Sequence, residues 1–365
     1  MNTFLDSTLQ QVWYDKKPSF FPQALKVVLT PFSYLYGLGA ASGRSSAKEE
    51  ELGCPVISVG NLTVGGTGKT IFVAKINEIL SCCDHHGVIL TRGYGKQSYG
   101  NIFIDEKNAQ SLTPDKTGDE PLSLWKECKG TPVLVGSDRI KNFRDYSINK
   151  KIDFALLDDG FQHHAIKKDL NVCLIDGSRL LGNGLTLPAG PLREPPMALN
   201  HADLIVVTRL NEQSDISVLE KYCVGKTLLK TTFSFSSVES LKKSEKVAVD
   251  EIRGKKVVLL SGLGNNLQLR EMVEKEKIIV VKHFSFPDHS FYTKRNIEEC
   301  IAYAQKEKAD FILTTGKDAV KLRSMTFEFP VFIAQVTVNF LGNGEKVFSE
   351  HLQGCLRNLL KKNEN

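Results

Sequence analysis

Three short stretches carry residue types suited to phosphoryl transfer. The first, ISVGNLTVGGTGKT at 57–70, reads as a strand running into a phosphate loop. Gly68, Lys69 and Thr70 supply the second half of the G-x-x-x-x-G-K-[ST] pattern, but Thr63 stands where its first glycine should be. Such a loop works because successive backbone N–H groups face phosphate oxygens at a helix N-terminus. Gly65, Gly66 and Gly68 permit that approach with Thr63 in place, so Thr63, Val64, Gly65, Gly66, Thr67, Gly68, Lys69 and Thr70 are the expected nucleotide-binding residues. Lys69 would contact the terminal phosphates and the Thr70 hydroxyl would ligate Mg²⁺. A glycine turn without function is the competing reading; a strand before the loop and a helix after it weigh against that.

The second stretch, DFALLDDGFQHH at 153–164, is a hydrophobic strand ending in Asp158 and Asp159. A strand of this kind presents a carboxylate towards the metal in nucleotide-binding folds. Adjacent strand residues point to opposite faces, so one aspartate reaches the metal and the other holds local structure. The third stretch, GDEP at 118–121, places Asp119 and Glu120 in a loop. A carboxylate there can accept the proton of an attacking hydroxyl. In isolation the pair would more often be turn residues. Val64 occupies the position where partition-type ATPases carry a signature lysine, which disfavours that class.

These groups need a scaffold, and the hydrophobic pattern supplies one. PVISVG (55–60), GVILTR (87–92), TPVLVG (131–136), DFALLDD (153–159), NVCLID (171–176) and ADLIVVTR (202–209) are short apolar strand candidates. TIFVAKINEILSCC (70–83) has a helical stripe at Phe72, Ile76, Ile79 and Leu80. Continuous apolar strands between helices predict a largely parallel sheet covered on both faces. After linker-like strands at 226–250, a second alternating series follows at 255–262, 277–286, 309–316 and 330–340. The expectation is a P-loop NTPase-like α/β core (51–225) and a second, smaller α/β lobe (251–365).

The 365 residues, with 24% charged and 41% apolar side chains and a net charge of +5, describe an ordinary globular chain rather than a disordered or fibrous one. The eight cysteines form no C-x-x-C pair, so neither a zinc site nor a disulfide framework is expected, and reduced thiols are the simplest account. No secretory signal is read at the N-terminus. Within the N-terminal segment 1–50, residues 18–39 are apolar and aromatic but interrupted by Pro22, Lys26 and Pro31. A spanning helix needs about 20 predominantly apolar residues, so this is a poor candidate for one. Leu25, Val28, Leu29, Phe32, Leu35 and Tyr36 share a helical face. That face would either pack on the core or lie in a membrane interface, with the lysines near lipid phosphates.

Together the motifs resemble a family. PVISVGNLTVGGTGKT, TRGYGK (91–96), GDEP, DDGFQHH, GNGLTLPAGPLREPP (182–196), FSFPDH (284–289) and LTTGKDAVKL (313–322) occur in the order and rough spacing of the tetraacyldisaccharide 4′-kinases. The resemblance runs from about residue 20 to 322, and GPLREP with DDGFQH is far more specific than a phosphate loop. It implies transfer of the ATP γ-phosphate to the 4′-hydroxyl of a tetraacyldisaccharide 1-phosphate, a lipid A precursor, giving lipid IVA. It also implies attachment to inner-membrane lipids on the cytoplasmic face through the N-terminal segment, with Mg²⁺ as cofactor. No nucleic acid and no obligate protein partner is inferred. Asp119 matches the family's catalytic base, His289 the histidine that pairs with it, and Glu120 a metal-side carboxylate. Arg92 and Tyr94 match a motif near the substrate pocket. Arg193 would neutralise a phosphate or form a structural ion pair.

The chain departs from the family pattern at Ile71, at His164 (in place of a common arginine) and at Gly316 (in place of the glutamate of TTEKD). None of these removes a proposed catalytic group. Two rival readings are a nucleotide-gated membrane-binding ATPase switch and a soluble small-molecule kinase. GPLREP argues against the first, and the aromatic N-terminal helix against the second.

Overall fold

The computed structural model describes residues 2–15, 17–82, 85–93, 100–210, 214–243, 245–262, 266–287, 290–323 and 325–363. In chain order the elements are α1 (Asn2–Tyr14), α2 (Phe20–Ser46), β1 (Val56–Asn61), α3 (Lys69–Ser81), β2 (Gly87–Thr91), β3 (Ile102–Ile104), α4 (Pro114–Thr117), α5 (Asp119–Glu127), β4 (Val133–Val135), α6 (Arg139–Ser147), β5 (Phe154–Asp158), β6 (Leu170–Asp176) and β7 (Leu204–Thr208). Then come α7 (Ser217–Glu220), β8 (Thr227–Ser240), β9 (Lys246–Ala248), β10 (Lys256–Ser261), α8 (Asn266–Lys275), β11 (Ile279–Ser285), α9 (Lys294–Lys306), β12 (Phe311–Thr315), α10 (Gly316–Leu322), β13 (Val331–Phe340) and α11 (Gly344–Asn363). They group into two compact units, one of residues 1–87, 149–232 and 340–365, the other of 88–148 and 233–339.

In the first unit β1 is central. It pairs in parallel with β5 on one side and β6 on the other, and β6 continues through β7 to the first residues of β8. β1, β5, β6 and β7 are buried along their whole length. That is why their sequences read as mostly apolar runs rather than alternating ones. α3 buries Phe72, Val73, Ile76 and Leu80, and Phe72 meets Phe340 and Phe348 edge-on. This aromatic cluster draws 340–365 into the first unit, apart from the rest of the expected 251–365 lobe.

α2 packs by its small and polar residues. Pro22, Ser33 and Gly37 are its buried positions. The Ser33 hydroxyl accepts from the Ala189 N–H at 2.8 Å, and its carbonyl accepts from the Thr186 hydroxyl. A Cβ at Gly37 would stand 3.2 Å from Thr186 Oγ1, tighter than an ordinary contact, so a side chain there would need the neighbour to give by a few tenths of an ångström. The face holding Val28, Phe32, Leu35 and Tyr36 points outward instead, joined by Phe20, Phe21, Val27, Tyr34 and Leu38. Among the described residues no helix is long and apolar enough to cross a membrane.

The second unit holds two sets of strands. β2 and β4 are parallel, with β3 antiparallel at the edge of β4. A larger set runs β11-β10-β12-β13-β8, parallel from β11 to β13, with β9 antiparallel on β8. The 226–250 stretch thus forms β8 and β9. α9 is started by a Thr293–Asn296 capping box and buries Ile297, Cys300 and Ala304, a helical stripe facing the sheet.

Candidate phosphotransfer site

The loop after β1 departs from the standard pattern for a structural reason. Around Thr63 the chain is extended and bridges Leu192. Val64 N–H donates to the Pro191 carbonyl at 2.8 Å, and Arg193 N–H to the Leu62 carbonyl at 2.8 Å. A glycine has no special use in such a bridge. Left-handed backbone is confined to Gly65 (φ 105°) and Gly68 (φ 89°), where glycine is needed. Gly68 precedes the first residue of α3, so the loop's N–H groups lead into a helix N-terminus.

Lys69 opens α3, and its ammonium is steered from two sides. Nζ lies 3.2 Å from the Asn61 side-chain carbonyl and 3.5 Å from the Asp159 carboxylate. Asn61, buried at the end of β1, also donates to the carbonyls of Thr63 (2.7 Å) and Gly65 (3.3 Å). Asp159 leaves β5 in a left-handed conformation (φ 49°) and accepts from Arg193 Nη1 at 2.8 and 3.0 Å. Gln162 joins them, donating to the Asn61 carbonyl at 3.0 Å. Asp158 is buried at the end of β5, opposite Val59 of β1. In this state Arg193 forms an ion pair with Asp159. Asn61 and Gln162 escaped the sequence reading; their signal was position, one ending the strand before the loop and the other following the acidic pair.

Arg193 is followed by Glu194, which is 2% exposed and takes a two-pronged bond from Arg44 of α2, each contact 2.8 Å. Arg44 also donates to the Phe161 carbonyl and lies 5.1 Å over the Phe161 ring. His164 shares a cavity of about 480 Å³ with Arg44 and Glu194. Burial, with the Arg44 charge beside it, pushes its imidazole down to about 4. The ring is therefore neutral at pH 7.

The second unit carries the GDEP carboxylates at the start of α5. Asp119 is 6% exposed, and its Oδ2 lies 2.9 Å from Nζ of the equally buried Lys321 in α10. Its Oδ1 accepts from the Glu120 N–H at 3.1 Å. Glu120 is more open and pairs with Lys317 at 3.0 Å. Lys317 and Lys321 are four apart on α10 and so share a face, the one signal in LTTGKDAVKL that could have announced the pairing. Near the other end of α5, the Glu127 carboxylate is 2.7 Å from where a Cβ of Gly316 would be. Glu127 therefore takes up space that any side chain at 316 would need. Arg92 is exposed just after β2. Tyr94 and His289 lie outside the described residues, and with them the expected pairing of His289 with Asp119.

A parallel sheet whose central strand feeds a glycine loop and helix, with an acidic pair ending the neighbouring strand, defines a P-loop phosphotransferase. Residues 25–357 match the family model described as tetraacyldisaccharide-1-P 4′-kinase. Similar relatives include the tetraacyldisaccharide 4′-kinase of Geobacter metallireducens, 34% identical over 86% of this chain and 92% of the relative. That of Aquifex aeolicus is 34% identical over 82% and 90%. The crystal structure of LpxK from Aquifex aeolicus in complex with ATP superposes with a TM-score of 0.75 at 32% identity, covering 91% of this chain and 99% of that one. The chain belongs to the tetraacyldisaccharide-1-P 4′-kinase family.

Proposed function

We propose that the chain transfers the γ-phosphate of ATP to the 4′-hydroxyl of a tetraacyldisaccharide 1-phosphate, forming lipid IVA at the cytoplasmic face of the inner membrane. The observation that carries this reading is Lys69, aimed by Asn61 and Asp159 from the head of α3 in a chain of this family. Bound ATP would place its phosphates on the N–H groups of 65–70, the Val64 N–H being held by the Pro191 carbonyl, and the Lys69 ammonium would neutralise charge that grows on the transferring phosphoryl group.

The oxygens proposed to hold a metal are hard ones: the Thr70 hydroxyl and the carboxylates of Asp158 and Asp159, with Glu120 proposed only from the family resemblance. They fit Mg²⁺, which takes one or two carboxylates plus phosphate oxygens rather than an all-protein cage. When bound, the ion would offset the negative charge of the phosphates. Asp159 is held by Arg193 and Lys69, so ligation by it would require those contacts to share the carboxylate.

Asp119 accepts the 4′-hydroxyl proton. Lys321 fixes one of its oxygens and balances its charge in a buried setting, and His289 is the residue that the family resemblance pairs with this carboxylate. Arg92, Tyr94 and Arg193 contact the phosphorylated disaccharide; a guanidinium suits the flat, two-pronged recognition of a phosphate. The outward apolar face of α2 rests in the lipid interface, from Phe20 (87% exposed) to Leu38 (70%). The acyl chains can then stay in the bilayer while the sugar meets soluble ATP.

Incubation of the protein with γ-labelled ATP and tetraacyldisaccharide 1-phosphate tests the reading. A 4′-phosphorylated lipid, identified by mass, is expected. ATP hydrolysis stimulated by lipid without such a product would instead favour the nucleotide-gated switch.

A further inference from the structure

The phosphate loop is gripped from outside by the end of β7. The Thr208 hydroxyl, fully buried, donates to the Thr67 carbonyl at 3.1 Å. The next residue, Arg209, donates through Nη1 to the Gly66 carbonyl. The same nitrogen lies 2.6 Å from the carboxylate of Asp176 at the end of β6. Asp176 is itself fixed, its other oxygen receiving the Ser178 N–H at 3.0 Å and the Ser178 hydroxyl at 2.6 Å. Arg209 sits in left-handed backbone (φ 52°), and the Gly177 N–H donates to the Thr208 carbonyl at 2.7 Å. The ends of β6 and β7 are thus stitched to each other and to two consecutive loop carbonyls.

Peptide geometry gives this arrangement a consequence. In a trans peptide the C=O of one residue and the N–H of the next point in opposite directions. Pulling the Gly66 and Thr67 carbonyls towards β7 therefore turns the Thr67 and Gly68 N–H groups the other way. That is the orientation a phosphate cradle requires, and free glycine-rich backbone would not hold it unaided. Without Thr208 and Arg209, ATP would have to order the loop on binding and lose affinity by that cost.

We propose that Thr208 and Arg209, backed by Asp176, are positioning residues for ATP: they preset the phosphate loop by holding its Gly66 and Thr67 carbonyls outward. Their role rests on the reading of the loop as the ATP site. It accounts for an arginine and a threonine that need not touch the nucleotide, and it separates them from Lys69, which does.

The test is steady-state kinetics with varied ATP and saturating lipid acceptor, together with ATP binding and thermal melting without nucleotide. Thr208→Val keeps the shape and removes only the hydroxyl; Arg209→Ala removes the second grip. Each should raise the ATP KM about tenfold, the worth of one hydrogen bond near the upper end of its usual range, while kcat changes less than about threefold. Thr208→Ser, which keeps the hydroxyl, should restore the wild-type KM. Asp176→Asn should raise KM in the wild-type background and add nothing to Arg209→Ala, since it acts through that arginine. If Thr208→Val and Arg209→Ala lower the melting temperature but leave ATP KM and binding at wild-type values, the contacts are only structural and the proposal falls. Wild-type protein that fails to bind ATP would overturn the underlying site reading as well, which keeps the two failures distinct.

Discussion

Arg44, near the end of the outward-facing helix α2, and Glu194, beside Arg193, form a doubly hydrogen-bonded ion pair with both contacts at 2.8 Å. From there the charges continue through Arg193 to Asp159 at 2.8 Å and to Lys69 at 3.5 Å. The helix proposed to meet lipid and the lysine proposed to meet ATP are therefore linked by two ion-paired groups that meet only through the backbone between Arg193 and Glu194. Arg44→Ala would leave Glu194 buried and unpaired, at a cost of roughly 3–5 kcal/mol. A fall in chemical-denaturation midpoint should register it, and Arg44→Lys should recover only part because it cannot make both bonds.

The outward face of α2 predicts a separable lipid phenotype. Phe32→Glu with Leu35→Glu places charge on exposed positions, so folding stability should change by less than about 0.5 kcal/mol. Flotation with anionic liposomes should drop sharply while the ATP KM holds. Unchanged flotation would remove α2 as the lipid-facing element.

Asp119 and Lys321 are buried together, and breaking the pair should cost more than activity. Lys321→Met leaves an uncompensated buried carboxylate, which destabilises by about 3–5 kcal/mol. Asp119→Asn with Lys321→Met should regain much of that stability but none of the turnover, as read by melting and by lipid phosphorylation.

Glu127 predicts a pH dependence of stability. The residue as a whole is exposed, but its carboxyl is set against Ser123 and Gly316, and loss of water there lifts it from 4.5 to about 7, opposed by the Ser123 hydroxyl. Its folded value is raised, so the folded state favours the neutral acid. The contribution to stability is complete below the unfolded value near 4.5 and is lost as pH rises through about 7. Melting temperature should fall between pH 5 and 8, and Glu127→Gln should flatten that fall. A wild-type curve that matches Glu127→Gln across this window would contradict the assignment.

The strands were legible because strands covered on both faces are apolar along most of their length, and β1, β5, β6 and β7 are, with Ser58 of β1 and Asn171 of β6 as buried polar exceptions. The loop was legible because Gly-Gly-x-Gly-Lys-Thr has few uses between a strand and a helix. The roles of Asn61, Arg209 and Lys321 were not, since each depends on a partner 8 to 202 positions away, such as Lys69 for Asn61 and Asp119 for Lys321. The face of α2 could not be assigned from periodicity alone. An apolar stripe looks the same whether it packs on protein or on lipid, and only Ser33 and Gly37 against Thr186 and Ala189 show which side is inward.

The most direct test of the central claim is a single-turnover reaction of wild-type and Asp119→Ala protein with γ-labelled ATP and tetraacyldisaccharide 1-phosphate, with the lipid product identified by mass and ATP binding measured in parallel. The prediction is label on the 4′ oxygen with the wild type, and ATP binding but no labelled lipid with Asp119→Ala. Label absent from the lipid with the wild type, or present at the wild-type rate with Asp119→Ala, would contradict it.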